Sequence, residues 1–402
     1  MKKLVHLDES EKLLNGLRKK YYFNRNVEIK GPLECLDREL ALDLVSRDNS
    51  PAHNIASFDG YAISHRAGYP MKIMHSIYAG DERGGIPRLK KGNAMYIATG
   101  AYMPEGADAV LRIEDAKIEG DSLYGIPIKA GTKVVRAGSN YKKGETVLRK
   151  GQRLRPQEIG IIHGMGILGV QVYKKPKVAV FSTGDEICKG LLRDTNGPMA
   201  AAFLKECGCH PVLMKPVPDS LEKIKKRLLN ATKYDAIITS GGVSVGRRDF
   251  VVKAIKELGT LLMHKVKTRP GKPLTVGIVN DTPVFGLPGK STGAFVALEL
   301  NLRNYFLGGI KRPKKVCKIS RSIKLSTIDA DSPDFINVVF VNLKNGSCVP
   351  MGFNDSPMKL VRSDEPYNVS TIASSLRSAC AEGYVLVKND LKKGEDVEVN
   401  LI

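Results

Sequence analysis

The sequence predicts a multidomain protein of α/β plus β-rich domains: a doubly wound α/β domain, an inserted β-rich domain and a C-terminal β-barrel. Three observations carry this. Between Lys177 and about Gly309, short apolar runs alternate with amphipathic stretches, the pattern of a mostly parallel sheet covered on both faces. From Asp48 the texture changes to short strands and glycine turns, and from Lys311 onward short strands alternate again. A chain of 402 residues is also too long for one typical domain; about two to four are expected.

Taken in order, Leu13, Leu14, Leu17 and Tyr21 recur at helical spacing and predict a helix over 8–22. Leu33, Leu36, Leu40 and Leu44 predict a second over 32–45. With a helix near 156–163 and an extended stretch at 170–173, these pieces make a first domain, 1–47 and 141–173. The β-rich domain, 48–140, is inserted into it. Lys174-Lys175-Pro176 marks the start of the α/β domain, 174–310, and Lys311-Arg312-Pro313-Lys314-Lys315 that of the barrel, 311–402. In the α/β domain, strands are predicted at 178–182, 211–214, 235–239, 261–264, 275–278 and 284–285. Helices are predicted at 199–207, 220–229, 249–258 and 293–306.

Composition narrows the function. Hydrophobic content of 42% and charged content of 26% are those of a soluble globular protein. No apolar run approaches the roughly 18 residues of a membrane span, and no secretory core follows the first lysines, so a cytoplasmic location is expected. The seven scattered cysteines form no disulfide framework. Cys207-Gly208-Cys209-His210 lacks the second cluster that a zinc site needs, and core thiols are expected there. The net charge of +21 concentrates anions. With 6% aromatics, no tryptophan and no nucleic-acid-binding signature, a small oxyanionic ligand is favoured over nucleic acid.

The chemistry gathers in loops that follow predicted strands, where open α/β sheets bind ligands. Ala236 to Thr239 runs into Ser240, Gly241, Gly242, Ser244 and Gly246, a small-residue loop bounded by Asp235 and Asp249. Its glycines let backbone approach an oxyanion and its hydroxyls can hydrogen-bond one. Ser182-Thr183-Gly184-Asp185-Glu186 sets two carboxylates beside a glycine turn. Thr268-Arg269-Pro270-Gly271-Lys272-Pro273 supplies two cations, and Gly286-Leu287-Pro288-Gly289-Lys290-Ser291 enters a helix. Any one such loop is often a turn with solvated charges. Four in one domain point to phosphoanhydride chemistry, with carboxylates for Mg²⁺, cations for phosphate and amides for oxyanions.

These stretches, with Asp59-Gly60-Tyr61-Ala62 and Thr99-Gly100-Ala101 through Glu114, resemble the MoeA family, the molybdopterin molybdenumtransferases, which include the gephyrin E domain. The resemblance covers nearly the whole chain and implies a MogA-like α/β domain. It implies insertion of molybdate, or tungstate, into adenylylated molybdopterin with Mg²⁺ and release of AMP. It implies a homodimer, with a MogA-type adenylyltransferase as partner. By position it implies catalytic roles for Asp59, Asp185, Glu186, Asp235, Asp249 and Lys272, with Asp185, Glu186 and Asp249 holding the metal. Substrate contacts fall to Thr99, Gly100, Ser182, Thr183, Gly184, Asp194, Asn196, Ser240, Gly241, Gly242 and Ser244. Arg269, Pro288, Gly289, Lys290, Ser291 and Ser370 complete them.

The chain departs from the family pattern. Lys290-Ser291 replaces Asn-Pro, Asn140 replaces a carboxylate, Arg269 stands for a lysine, and Asn337 falls where an arginine is expected to hold molybdate. The residues before Asp59, His53 to Phe58, also differ. Two readings stay open: the transferase, favoured by the retained carboxylates and Lys272, and a non-catalytic pterin- or nucleotide-binding carrier or scaffold. The loop with Lys290 and Ser291 is expected to face a phosphate, and Lys290 partly to offset Asn337.

Overall fold

A computed structural model of the protein describes residues 4–22, 26–243, 249–325, 334–352, 367, 369–372 and 375–402. The chain forms two compact units, one of residues 27–172 and one of residues 1–26 with 173–402.

The larger unit is built on six strands in the order His210–Leu213, Lys177–Ser182, Ala236–Ser240, Thr282–Leu287, Thr275–Val279, Gly259–His264. The first four run parallel; the last two are antiparallel additions. Side chains alternate along a strand, so one run of β-branched residues serves both faces. Val178, Val180, Ile238 and Phe285 enter one buried core with Phe203, Leu204, Ala294 and Leu298. Ala179, Phe181, Ile237 and Val284 enter a second with Ile224, Leu228, Val251 and Ile255. Each such buried aliphatic or aromatic side chain contributes about 1.5–3 kcal/mol. The doubly wound reading is correct.

The helix Leu7–Leu17, expected with 141–173, instead packs on this sheet: Leu14 and Leu17 share the core of Tyr305 and Phe306. A second correction concerns 32–45. Only Pro32–Cys35 is helical, as a 3₁₀ turn, because Asp37 adopts a left-handed φ of 62° that a helix cannot propagate. Beyond it the backbone bonds to distant segments, Leu40 N–H to Gln152 O and Ala41 N–H to Gln171 O, and Leu44–Val45 is a strand.

At the C-terminus, Ile336–Lys344, Ser347–Pro350, Lys314–Ile319, Asp396–Leu401 and Gly383–Val387 are hydrogen-bonded in that order. A further pairing of the first with the last closes a five-strand barrel. The short strand Thr268–Arg269 joins it in parallel, in register with Ile336 and Asn337.

The 27–172 unit carries its own six-stranded sheet, ordered Ala109–Arg112, Gly60–Ile63, Asn93–Ile97, Met71–Ile77, Ser122–Gly125, Ala116–Glu119. Separate apolar clusters line it, one around Ile77, Met95 and Val110 and another around Tyr61, Met71 and Leu123. Among the described residues, no helix is long and apolar enough to cross a membrane.

Candidate functional site

Ser182, Ser240 and Leu287 stand in one register row at the carboxyl ends of three parallel strands. The loops leaving that row surround a cavity of about 540 Å³. Its lining includes glycine backbone, at Gly241, Gly242 and Gly289, and the cations Arg269, Lys272 and Lys290. Gly241 has no substitute here. Its φ is +89°, and a Cβ would stand 2.7 Å from the Thr183 carbonyl oxygen.

The predicted hydroxyl and amide ligands bond to one another and to nearby carbonyls. Asn196 Nδ2 donates to Ser240 Oγ at 2.7 Å and to Gly289 O at 2.8 Å, while Ser240 Oγ donates to Pro288 O at 3.2 Å. Ser182 Oγ donates to Asp194 Oδ1 at 2.8 Å, which also accepts the Gly197 N–H at 2.9 Å. Thr183 N–H donates to Ser240 O at 2.8 Å. Ser182, Thr183, Asn196 and Ser240 are all buried. Buried polar groups are as a rule hydrogen-bonded; the hydroxyls and the amide N–H of these four are bonded to each other, to Asp194 and to loop carbonyls, while Asn196 Oδ1 has no partner among the described residues. The bonds of Asn196 and Ser240 tie the Leu-Pro-Gly turn to the strand ends. Ser291 is similarly engaged, its hydroxyl 2.7 Å from Thr195 Oγ1.

Further corrections follow from placement. Asp235 lies at the amino end of its strand, about 16 Å of strand from Ser240, and accepts the Lys177 N–H at 2.7 Å; it is outside the cluster. Asp185 Oδ1 accepts the Asp219 N–H at 3.2 Å, and the Glu186 carboxylate lies over Gly184. Asp249 takes the N-cap position of the helix Phe250–Leu258. Among the described residues no group of three or more carboxylate, histidine or cysteine ligands is gathered. The three carboxylates therefore do not fit a ready-made magnesium cage. Ser244 and the side chain of Ser370 lie outside the described residues.

Asp59, Thr99 and Gly100 belong to the 27–172 unit. Asp59 Oδ1 accepts both the Thr99 N–H, at 2.6 Å, and the Thr99 hydroxyl, at 2.7 Å. The Thr99 backbone bond, then the hydroxyl, holds this carboxyl below the ordinary carboxylate range. Asn140 Nδ2 donates to Ser50 Oγ at 3.3 Å. Asn337 is buried and donates to Val387 O at 3.4 Å, directly beside Arg269 in register.

One residue at the site escapes a reading of the sequence. The Arg269 guanidinium carbon and Lys272 Nζ lie 4.6 and 5.2 Å from the ring centroid of Phe335. A lone phenylalanine over 60 residues downstream carries no motif. Only the pairing of Thr268–Arg269 with Ile336–Asn337 brings it there.

Comparison with known proteins yields two family matches. Residues 6–166 match the MoeA N-terminal region (domain I and II), and residues 179–307 match MoCF_biosynth, described as a probable molybdopterin binding domain. Curated relatives include the molybdopterin molybdenumtransferases of Staphylococcus epidermidis and Haemophilus influenzae. The first is 31% identical, over 80% of this chain and 82% of its own length. The second is 32% identical, over 65% and 68%. Among solved structures, a molybdopterin biosynthesis MoeA protein from Pyrococcus horikoshii superposes with a TM-score of 0.70 at 28% identity, covering 99% of both chains.

Proposed function

The chain belongs to the molybdopterin molybdenumtransferase (MoeA) family of molybdenum cofactor biosynthesis, and from that premise we propose that it inserts molybdate, or tungstate, into adenylylated molybdopterin with release of AMP. The observation that carries this reading is the cavity at the carboxyl ends of the sheet, lined by glycines and three cations. Arg269 and Lys272 bind the charge of the phosphoanhydride or the incoming oxyanion, and exposed backbone lets those groups come close. The buried struts through Asn196 and Asp194 keep that backbone from collapsing into the space. Asp59 is retained as a catalytic residue of this proposal, its carboxylate oriented by Thr99. Mg²⁺, which the resemblance implies, would be held by one or two of Asp185, Glu186 and Asp249 together with the substrate's own phosphates, and would neutralise phosphate charge there.

A homodimer belongs to the same reading. It is supported by Ile29, Leu33 and Leu168 of the 27–172 unit, apolar side chains that are 68%, 86% and 84% exposed. To the same reading belong domain boundaries near 48, 141, 174 and 311, with the first helix assigned to the α/β domain, a cytoplasmic site of action and a MogA-type adenylyltransferase that supplies the substrate. The deciding experiment incubates the protein with adenylylated molybdopterin, Mg²⁺ and molybdate or tungstate, and follows AMP. Oxyanion-dependent AMP release is expected. Tight binding with no release at any oxyanion concentration would establish the carrier instead.

A further inference from the structure

We propose that Phe335 is a positioning residue for the cavity's cations, a single aromatic ring that sets where the Arg269 guanidinium and the Lys272 ammonium stand. The inference rests on reading the cavity as a phosphate or oxyanion site. Phe335 is only 4% exposed and immediately precedes the barrel strand Ile336–Lys344, whereas both cations belong to a loop of the α/β sheet. Both cations lie within the roughly 6 Å over which a ring face attracts positive charge.

The chemistry explains why a ring suits this place. Two cations gathered at one ring repel, and an anionic ligand draws on both. A carboxylate between them would hold them strongly but cancel the charge that the ligand is to meet. The ring's quadrupole attracts each cation while leaving its full charge for the cavity. Asn337, uncharged and in register with Arg269, adds no cation to this wall, so the field there depends on where Arg269 and Lys272 sit. The ring is itself fixed by backbone: Ile336 N–H donates to Lys267 O at 3.0 Å, and Lys267 Nζ lies 3.4 Å from Asp334. The barrel is thus bonded to the loop whose charges it places.

The test replaces Phe335 by Leu, Met, Tyr and Trp in the full chain and reads two quantities. Reductive ¹³C-methylation keeps lysine charge and gives each lysine an NMR signal; the Lys272 signal is assigned with Lys272→Arg. It should be displaced by the ring current in the wild type, return to an ordinary position in Phe335→Leu and Phe335→Met, and stay displaced in Phe335→Tyr. Calorimetric affinity for AMP and for molybdate should fall about tenfold in the aliphatic variants and recover in the aromatic ones. A Lys272 signal indifferent to loss of the ring, or unchanged affinity in both aliphatic variants, overturns the proposal. A wild type that binds neither probe, while its Lys272 signal follows the ring, overturns the phosphate reading and leaves the ring's role standing.

Discussion

The closed polar wall behind the cavity's glycine loops and the charged wall that lines the cavity are made on different principles. The first, from Ser182, Thr183, Asp194, Asn196 and Ser240, bonds its hydroxyls and its amide N–H inside the protein. The other, from Arg269, Lys272 and Lys290, is charged and lines the cavity. The first wall sets shape and the second supplies the field. A residue type common in ligand sites is therefore no guide to contact: a serine at a strand end binds substrate only when its hydroxyl has not already been claimed by a buried carbonyl.

The largest effect should come from the charged wall. Lys272→Ala should lower oxyanion-dependent AMP release about 100-fold, as loss of one group stabilising developing charge does elsewhere, with the melting temperature preserved. Activity within a few-fold of wild type would remove the lysine from the reaction. The closed wall should respond in the opposite sense. Asn196→Ala strips Ser240 Oγ and Gly289 O of a buried donor and should destabilise the larger unit by about 2 kcal/mol. Urea unfolding measures this directly. A loss of AMP affinity without loss of stability would show that Asn196 touches ligand, and the contrast between the walls would fail.

The two walls differ in how far the sequence discloses them. Loops after predicted strands are local signals, and Gly241-Gly242, Arg269, Lys272 and Lys290 are legible because charge and glycine at a strand end have few other uses. What the hydroxyls bond to is tertiary information. Asn196 and Ser240 are 44 residues apart, and nothing in either neighbourhood specifies that the amide reaches the serine. The same limit explains Asp235, where a motif suggests chemistry but strand direction puts the residue at the wrong end. It explains 32–45 as well: the leucine spacing is helical, yet long-range backbone pairing and the left-handed Asp37 decide the outcome. Phe335 is the extreme case, a functional contact created entirely by the docking of the barrel strand.

Within the charged wall, Lys290 should matter less than Lys272. It is exposed at the rim, so solvent screens it and its contribution is up to about 1 kcal/mol. Lys290→Ala should weaken AMP binding about fivefold at low salt, and the difference should vanish near 1 M salt, where charges are screened within about 3 Å. A loss that persists at high salt would indicate a direct, desolvated phosphate contact and rank Lys290 with Lys272.

The smallest effect sharpens the comparison from outside the cavity, because Asp59 repeats the device of Asp194: one carboxylate gathers one backbone N–H and one hydroxyl. Asp59 is exposed, which makes its titration measurable by itself. Its carboxyl is held below the ordinary range first by the Thr99 N–H and then by the Thr99 hydroxyl. A depressed folded-state pKa means that the ionised group stabilises the fold above the unfolded value, near 3.9. That contribution is lost as pH falls through the lower folded value. Wild type should therefore exceed Asp59→Asn in stability at neutral pH, and the two should converge as the pH drops below about 4. Thr99→Val, which keeps the N–H and removes the hydroxyl, should move the Asp59 titration only part of the way back, since the backbone bond is the larger cause. Following the Asp59 carboxyl carbon by NMR in both proteins tests this. An Asp59 pKa fully restored by Thr99→Val would mean that the hydroxyl, not the turn's backbone, orients the carboxylate.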